Sequence, residues 1–242
     1  MMLLLLLLLL HVGLKMSSVG TLVAGSTVLW LFIYLVLCRI FSTRSTEWNC
    51  RLITLLHGSI IAMLSGYVSF IAGPSPFTHP GGPNTELQVS TLSLCLGYFL
   101  FDIVWCLLYS IQSRVIIAHH IISICGLTIS LALGVCATET NIVVFVTEIT
   151  NPILQLRWFL RQEGRYDGAT IGVLLDMVFV LLFICMRIGL GTMLLFSIIP
   201  SRRSLLLVKI GGVGIYVISW LFLIDILKFV FRKYIKKQTL TE

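Results

Sequence analysis

Seven stretches of this chain are long and apolar enough to cross a lipid bilayer, and this feature limits its fold more than any other. They are residues 21–38, 52–72, 89–111, 115–134, 142–160, 171–199 and 205–231. A helix needs about 20 residues to span the hydrocarbon core of a membrane. No stretch shows the alternation of polar and apolar residues that a membrane β-barrel requires. The sequence therefore predicts an all-α polytopic membrane protein with about seven transmembrane helices.

The composition supports the same class. Of the 242 residues, 58% are hydrophobic and 11% are charged, which is too little polar surface to cover a soluble domain. Seven spans and their short loops occupy most of the chain. Any chemistry is therefore expected inside the membrane or at its surface.

Lys and Arg residues predict the orientation of the spans, because they are retained on the cytoplasmic side. They follow the first and fifth spans, lie between the third and fourth, and end the chain, whereas Arg202, Arg203 and Lys209 depart from the alternation. The short basic tail at 236–242 is predicted to be cytosolic, and the loops at 73–88 and 137–141 to lie on the opposite side. The net charge of +7 reflects this bias, so we expect no nucleic-acid partner.

Residues 1–49 are interpreted as a low-complexity N-terminus followed by the first transmembrane helix. Four of the six prolines lie between the second and third spans, in residues 73–84. Proline at this density excludes a helix and stiffens the chain. The loop is predicted to be a rigid spacer, with a lid that points His79 into a cavity as the alternative.

The fourth predicted helix carries two adjacent histidines, His119 and His120. Titratable groups in hydrocarbon are costly, so a functional role is the default hypothesis for them. The two side chains diverge by about 100° around the helix axis, and Ser123 is spaced to hydrogen-bond either imidazole. A metal site is not predicted, since two ligands from one helix usually stand four residues apart.

The fifth predicted helix carries a polar stripe formed by Glu148, Asn151 and Gln155 at spacings of three and four residues. Pro152 is expected to kink this helix and to leave a carbonyl group free. We hypothesise from the sequence that this stripe and the histidines share a cavity.

Further titratable residues lie in the third, sixth and seventh spans. Asp176 and Arg187 share one face of the sixth helix but are too far apart along its axis to pair directly. The structural alternative is that the buried acids form ion pairs. In that case Asp102, Asp176 and Asp225 would pair with Arg187, Lys209 or Lys228.

Three motifs follow one another in the order of a known family. They are Gly97 to Asp102 (Gly-Tyr-Phe-Leu-Phe-Asp), His119 to Ser123 (His-His-Ile-Ile-Ser), and Glu148 to Leu160, which contains Asn-Pro-Ile-Leu-Gln-Leu-Arg-Trp. Through them the chain resembles the TLC-domain family of multi-pass membrane proteins, which includes the ceramide synthases. The resemblance covers about residues 50–235. It implies a six-helix barrel in the membrane around a lipid-sized cavity, preceded by one extra helix.

The resemblance also implies roles for the histidines. In the ceramide synthases a histidine pair acts in the cavity on acyl-CoA and a long-chain base, and His119 and His120 match that pair, with Ser123 at the hydroxyl position that follows. The chain departs from the synthases afterwards. Glu148 with Asn151 and Pro152 stands where the synthases have a further histidine and acids, and no histidine follows His120.

Three functions stay open at this point. The first is binding of a membrane lipid or fatty acyl chain in a cavity, with an influence on membrane lipid composition. The second is a lipid-modifying transferase or hydrolase in which His119 or His120 is the base or nucleophile and Glu148 or Asp102 orients it; acyl-CoA is expected only in this case. The third is a proton-coupled transporter with a relay through His119, Glu148 and Asp176.

Residues expected to line the lipid cavity are Asp102, Ser123, Asn151, Gln155, Asp176 and Arg187. The expected location is the endoplasmic reticulum or the plasma membrane.

Overall fold

The computed structural model describes residues 2–109, 113–166 and 170–235, which are helical with short connections and contain no strand. The helices are α1 (Met2–Ile40), α2 (Thr46–Tyr67), α3 (Glu86–Tyr109), α4 (Arg114–Leu133), α5 (Ala137–Glu148), α6 (Asn151–Gln162), α7 (Thr170–Phe183), α8 (Gly191–Ile198) and α9 (Leu206–Val230). Three π-helical segments, Val68–Ala72, Ile184–Leu190 and Phe231–Ile235, extend α2, α7 and α9. The basic tail predicted at 236–242 lies outside the described residues.

Six helical segments among the described residues are long and apolar enough to cross a membrane. They are Ser18–Ile40, Thr46–Ala72, Glu86–Tyr109, Arg114–Leu133, Thr170–Ile198 and Leu206–Tyr234. Large apolar side chains such as Ile71, Leu108 and Phe196 are exposed on their outer surfaces, as a lipid-facing surface requires. The all-α polytopic membrane class is thus confirmed, and these segments match six of the seven predicted spans.

The fifth predicted span is two helices of 12 residues each, and the prediction of one helix over 142–160 was wrong. α5 ends at Glu148 and α6 begins at Asn151, with Pro152 in the first turn of α6. Proline lacks an amide hydrogen and clashes with the preceding turn, so it is tolerated at the start of a helix but not inside it. The expected kink is found as an interruption at residues 149 and 150, whose backbone angles remain right-handed helical.

α5 begins at Ala137, within a segment that was predicted to be a loop at 137–141. Thr138, Glu139 and Asn141 are buried there. The proline-rich loop is hydrogen-bonded to the start of α5, because the Asn84 amide donates to the Ser130 carbonyl at 2.8 Å and its oxygen accepts from the Ala137 amide at 2.8 Å. The same loop leaves His79 exposed, which agrees with a rigid spacer and not with a lid.

The helices form a closed ring. α2 contacts α3, α3 contacts α4, and α4 contacts α9. α9 contacts both α8 and the π-helical segment Ile184–Leu190, and both of these contact α5. α5 and α6 contact α2, which closes the ring. α1 packs outside the ring against α3. Gly97 permits this close approach, because a Cβ atom there would collide with Ser26. The arrangement is the barrel with one extra helix that the family resemblance implied.

Candidate functional site

The ring encloses a cavity of about 530 Å³. Many wall residues are apolar or aromatic, among them Phe99, Phe179, Phe183 and Phe222. Most of the predicted site residues also line it, namely Asp102, His119, His120, Glu148, Asn151, Gln155 and Arg187. Helices far apart in sequence therefore bring these groups into one space.

His120 is held between two oxygen atoms. Its Nε2 lies 2.6 Å from Oδ2 of Asp102, and its Nδ1 lies 2.7 Å from the carbonyl oxygen of Ile116 in the preceding turn. A carbonyl oxygen only accepts, so Nδ1 carries a hydrogen. The short contact between Nε2 and the carboxylate is therefore a hydrogen bond that fixes the orientation of the imidazole at the cavity wall.

Asp102 also accepts from two thiols. The Sγ atoms of Cys50 and Cys106 lie 3.7 Å and 3.9 Å from its two carboxylate oxygens. The ligand atoms of Asp102, Cys106 and His120 all lie within 4.8 Å of one another. Carboxylate, thiolate and imidazole together are a donor set that suits zinc. The expectation of no metal site considered one helix only, whereas this cluster joins α3 and α4.

His119 has a different environment from its neighbour. Its Nδ1 is buried and has no hydrogen-bond partner among the described residues. Its ring makes edge contacts with Phe99 and Phe222, at centroid distances of 6.1 Å and 6.2 Å. The predicted hydrogen bond from Ser123 to either imidazole is not formed. His119 is thus the histidine that is available to a ligand.

The polar stripe at the break between α5 and α6 is a chain of hydrogen bonds. The Asn151 amide donates to Oε2 of Glu148 at 3.0 Å, and the Gln155 amide donates to the Asn151 oxygen at 3.0 Å. Arg51 donates to Gln155 at 3.2 Å and to Glu47 at 2.8 Å. The stripe therefore runs from the interior of the cavity to its charged end.

Arg187 lies opposite this stripe on the π-helical segment Ile184–Leu190. Its Nη2 donates to the Thr147 carbonyl at 2.5 Å, one of the carbonyls that a helix end leaves without an intrahelical partner. The sequence predicted that Pro152 would leave the carbonyl of Glu148 free. The carbonyl that Arg187 binds is that of the preceding residue, Thr147. The Nε and Nη1 of Arg187 are buried without a partner among the described residues.

A second, narrower cavity of about 90 Å³ adjoins the first. Phe99 and Arg187 belong to the walls of both. The other walls are largely aliphatic, and Ser123 lies here and not in the larger cavity. Ser123 was expected beside the histidines, but it is one turn further along α4.

Asp176 lies outside both cavities and has partners of its own. It accepts from Arg157 at 2.5 Å, from Lys233 at 2.9 Å and from Tyr234 at 2.6 Å, and also from the Tyr166 hydroxyl. Burial and the hydrogen bond to Asp176 raise the pKa of Tyr166, so that its phenol stays protonated. We call these five residues the closing cluster, because they tie α6, α7 and the end of α9 together.

The predicted ion pairs are therefore partly wrong. Asp176 pairs with Arg157 and Lys233, and Asp102 pairs with His120. The partners in each pair lie on different helices, so spacing within one helix could not predict their contact. Only Asp225 has one of the predicted partners, Lys228, at 3.4 Å on the surface.

Two buried titratable residues carried no sequence signal. His57 is fully buried in α2, stacked on Tyr98 at 3.6 Å between ring centroids, and neither ring nitrogen has a partner among the described residues. Glu139 accepts from the Gly81 amide at 3.0 Å and from the Ser204 hydroxyl at 2.7 Å. A single histidine in an apolar helix, and an acid in a polar segment, match no motif.

The comparison with protein families agrees with this architecture. The family model of the TLC domain matches residues 47–232, which include the whole ring of helices and every residue of the larger cavity. The three motifs that suggested the resemblance lie within the match. The chain therefore belongs to the TLC-domain family of multi-pass membrane proteins.

Proposed function

We propose that the protein binds one lipid or fatty acyl chain inside the helical ring and thereby influences membrane lipid composition. The observation that supports this most is the cavity of about 530 Å³ with apolar walls and a polar cluster in its interior. Small-molecule sites usually measure about 300–1,000 Å³ and combine an apolar lining with a few polar groups. The hydrocarbon tail fits the aromatic walls, and the polar end fits the cluster around His119, Glu148 and Arg187.

Mass spectrometry of the purified protein tests this proposal. The full chain is released from membranes in detergent, and its mass is measured under native and denaturing conditions. We expect one lipid that is retained natively and lost on denaturation. A protein that carries no lipid after gentle purification, and takes none up from mixed micelles, would contradict the proposal.

A second candidate is acyl transfer, for which the His120–Asp102 pair is the specific support. A base oriented by a carboxylate beside a free nucleophile is the arrangement that activates acyl chemistry. His119 would attack the acyl carbonyl of a thioester such as acyl-CoA, and the leaving thiolate would take a proton from His120. A covalent acyl mass on the denatured wild type, absent from His119→Ala, would favour this function over binding alone.

Transport has weaker support. The relay for this function joins His119, Glu148 and Asp176, but Asp176 is not among the residues that line either cavity. Its carboxylate is engaged by the closing cluster. The described residues therefore do not form a continuous proton path between these three groups.

We infer the topology from charge. Four charged residues that line the larger cavity, Glu47, Arg51, Arg161 and Asp225, are close in sequence to the basic clusters that favour the cytoplasmic side. The cavity would then open toward the cytosol in the endoplasmic reticulum or plasma membrane, with the C-terminus on that side.

Within the family, the proline-rich loop and the run after Asn151 resemble TLC domain-containing protein 5.

A further inference from the structure

We infer that Arg187 binds the carboxylate of a free fatty acid whose hydrocarbon tail lies along the two cavities that meet at this residue. The inference rests on the proposed lipid binding and deepens it. It specifies the ligand as an anionic lipid with a carboxylate at its polar end, not a neutral ester or amide.

The first reason is the set of unused donors on Arg187. The side chain is about nine-tenths buried, and its guanidinium is charged at every physiological pH. One nitrogen, Nη2, donates to the Thr147 carbonyl, whereas Nε and Nη1 have no hydrogen-bond partner among the described residues. Buried N–H groups of a charged side chain are costly to leave unpaired, so this site needs acceptor atoms from a ligand or from solvent.

The second reason is that no carboxylate among the described residues forms a direct ion pair with Arg187. None of the ion pairs found among the described residues includes Arg187. Glu148 is buried nearby and interacts electrostatically with Arg187, but it accepts its hydrogen bond from Asn151 and not from the guanidinium. The other neighbour is the ring of Phe183, with the guanidinium carbon 5.2 Å from its centroid. By contrast the other buried arginine of the described chain, Arg157, has the carboxylate of Asp176 at 2.5 Å.

The third reason is the position of Arg187 between two different spaces. It is shared by the larger cavity, which holds the histidines, and the narrow one, whose walls include Leu127, Val144, Leu194 and Ile198. A carboxylate beside Arg187 therefore has aliphatic surface within reach of its tail. The residue also stands in a π-helical turn, a departure from α-helix that occurs often at functional sites.

The carboxylate is favoured over a neutral polar group by charge. An ester carbonyl can accept a hydrogen bond from Arg187 but leaves the guanidinium charge uncompensated. A carboxylate accepts several hydrogen bonds and supplies the opposite charge, and such charge-assisted bonds are roughly twice as strong as neutral ones.

Binding of oleate and methyl oleate to the full chain tests the inference. The protein is delipidated and placed in phosphatidylcholine nanodiscs, and each ligand displaces radiolabelled oleate at a pH where the acid is ionised. We expect the wild type to bind oleate at least about tenfold more tightly than methyl oleate, as a charge-assisted hydrogen bond implies. Arg187→Met should lose this preference without losing methyl oleate, and Arg187→Lys should keep most of it.

The matched control is Arg161→Met, which removes an exposed positive charge from the mouth of the same cavity and should leave the preference unchanged. Equal affinities for oleate and methyl oleate in the wild type would overturn the inference and leave lipid binding intact. So would a preference that survives in Arg187→Met. If neither ligand binds specifically to the wild type, the proposed function itself fails. If Arg187→Met does not fold, Arg187→Gln takes its place, because it removes the charge but keeps hydrogen-bond donors, and a preference that survives in it would overturn the inference.

Discussion

The closing cluster and the buried polar residues of the larger cavity, which we call the cavity cluster (Asp102, His119, His120, Glu148 and Arg187), differ in how fully their polar groups are paired. In the closing cluster each oxygen of Asp176 is engaged by more than one donor, from Arg157, Tyr166, Lys233 and Tyr234. In the cavity, His119 and Arg187 keep nitrogens without partners. A cluster whose polar groups are all paired holds helices together, whereas a cluster with unpaired polar groups beside an open cavity can bind a ligand.

The largest expected effect comes from breaking the closing cluster. Asp176→Ala leaves Arg157 and Lys233 without their carboxylate, and uncompensated buried charge costs about 3–5 kcal/mol. Thermal unfolding in detergent measures the loss. Asp225→Ala is the control, since its exposed pair with Lys228 contributes at most about 1 kcal/mol. Equal losses in the two variants would show that the cluster does not join the helices.

A smaller effect is expected for Asp102→Ala in the cavity cluster. The change removes the acceptor for His120 and for the thiols of Cys50 and Cys106. Unpaired buried groups cost about 1–3 kcal/mol, and water in the cavity can replace part of the lost bonding. The same unfolding assay should therefore give a loss below that of Asp176→Ala, and a loss above it would reverse the order of the two clusters.

Lipid retention should respond to filling the cavity. Ile226→Trp places a large ring in the cavity wall, and overpacking costs about 1–3 kcal/mol, so the retained lipid should bind roughly tenfold more weakly. Leu227→Trp is the matched control, because Leu227 is exposed on the outer surface of the same helix. Quantitative mass spectrometry of bound lipid compares the two. Equal retention would indicate that the lipid binds outside the ring.

The smallest effect is expected for Arg187→Met in the lipid-free protein. Replacing a buried charge that has no direct ion pair with an apolar side chain removes its desolvation cost, so the free energy of unfolding should stay within about 1 kcal/mol of wild type. Arg157→Met, which breaks an ion pair, should lower it clearly. A large loss for Arg187→Met would mean that Arg187 acts as a structural residue.

Much of the fold follows from local sequence patterns. Apolar runs of about 20 residues predicted six membrane-spanning segments, and Pro152 indicated where the fifth predicted span is interrupted. The start of α5 was missed because Thr138, Glu139 and Asn141 are polar, and polar residues suggest a loop. Thr138 and Glu139 have their partners in Gly81, Gln88 and Ser204, which are far away in sequence, where periodicity carries no information.

The sequence predicted which residues belong to the candidate site but not which of them contact each other. The histidines, Asp102, Glu148 and Arg187 stand out because polar groups are rare in apolar helices. Which of them pair depends on the packing of helices, as His120 with Asp102 illustrates across the α3–α4 contact. Ser123 and Asp176 were grouped with the site because of their helices, but Ser123 lines the narrow cavity and Asp176 belongs to the closing cluster.

Photocrosslinking inside the ring is the most direct test of lipid binding. A fatty acid with a photoreactive group on its tail is added to the protein in nanodiscs, irradiated, and located by peptide mass spectrometry, with and without excess oleate. The account predicts labelling of cavity residues such as Leu154, Phe179 and Phe222, suppressed by oleate. Labelling confined to outward residues such as Leu108 and Phe196, with no competition, would contradict a lipid site inside the ring.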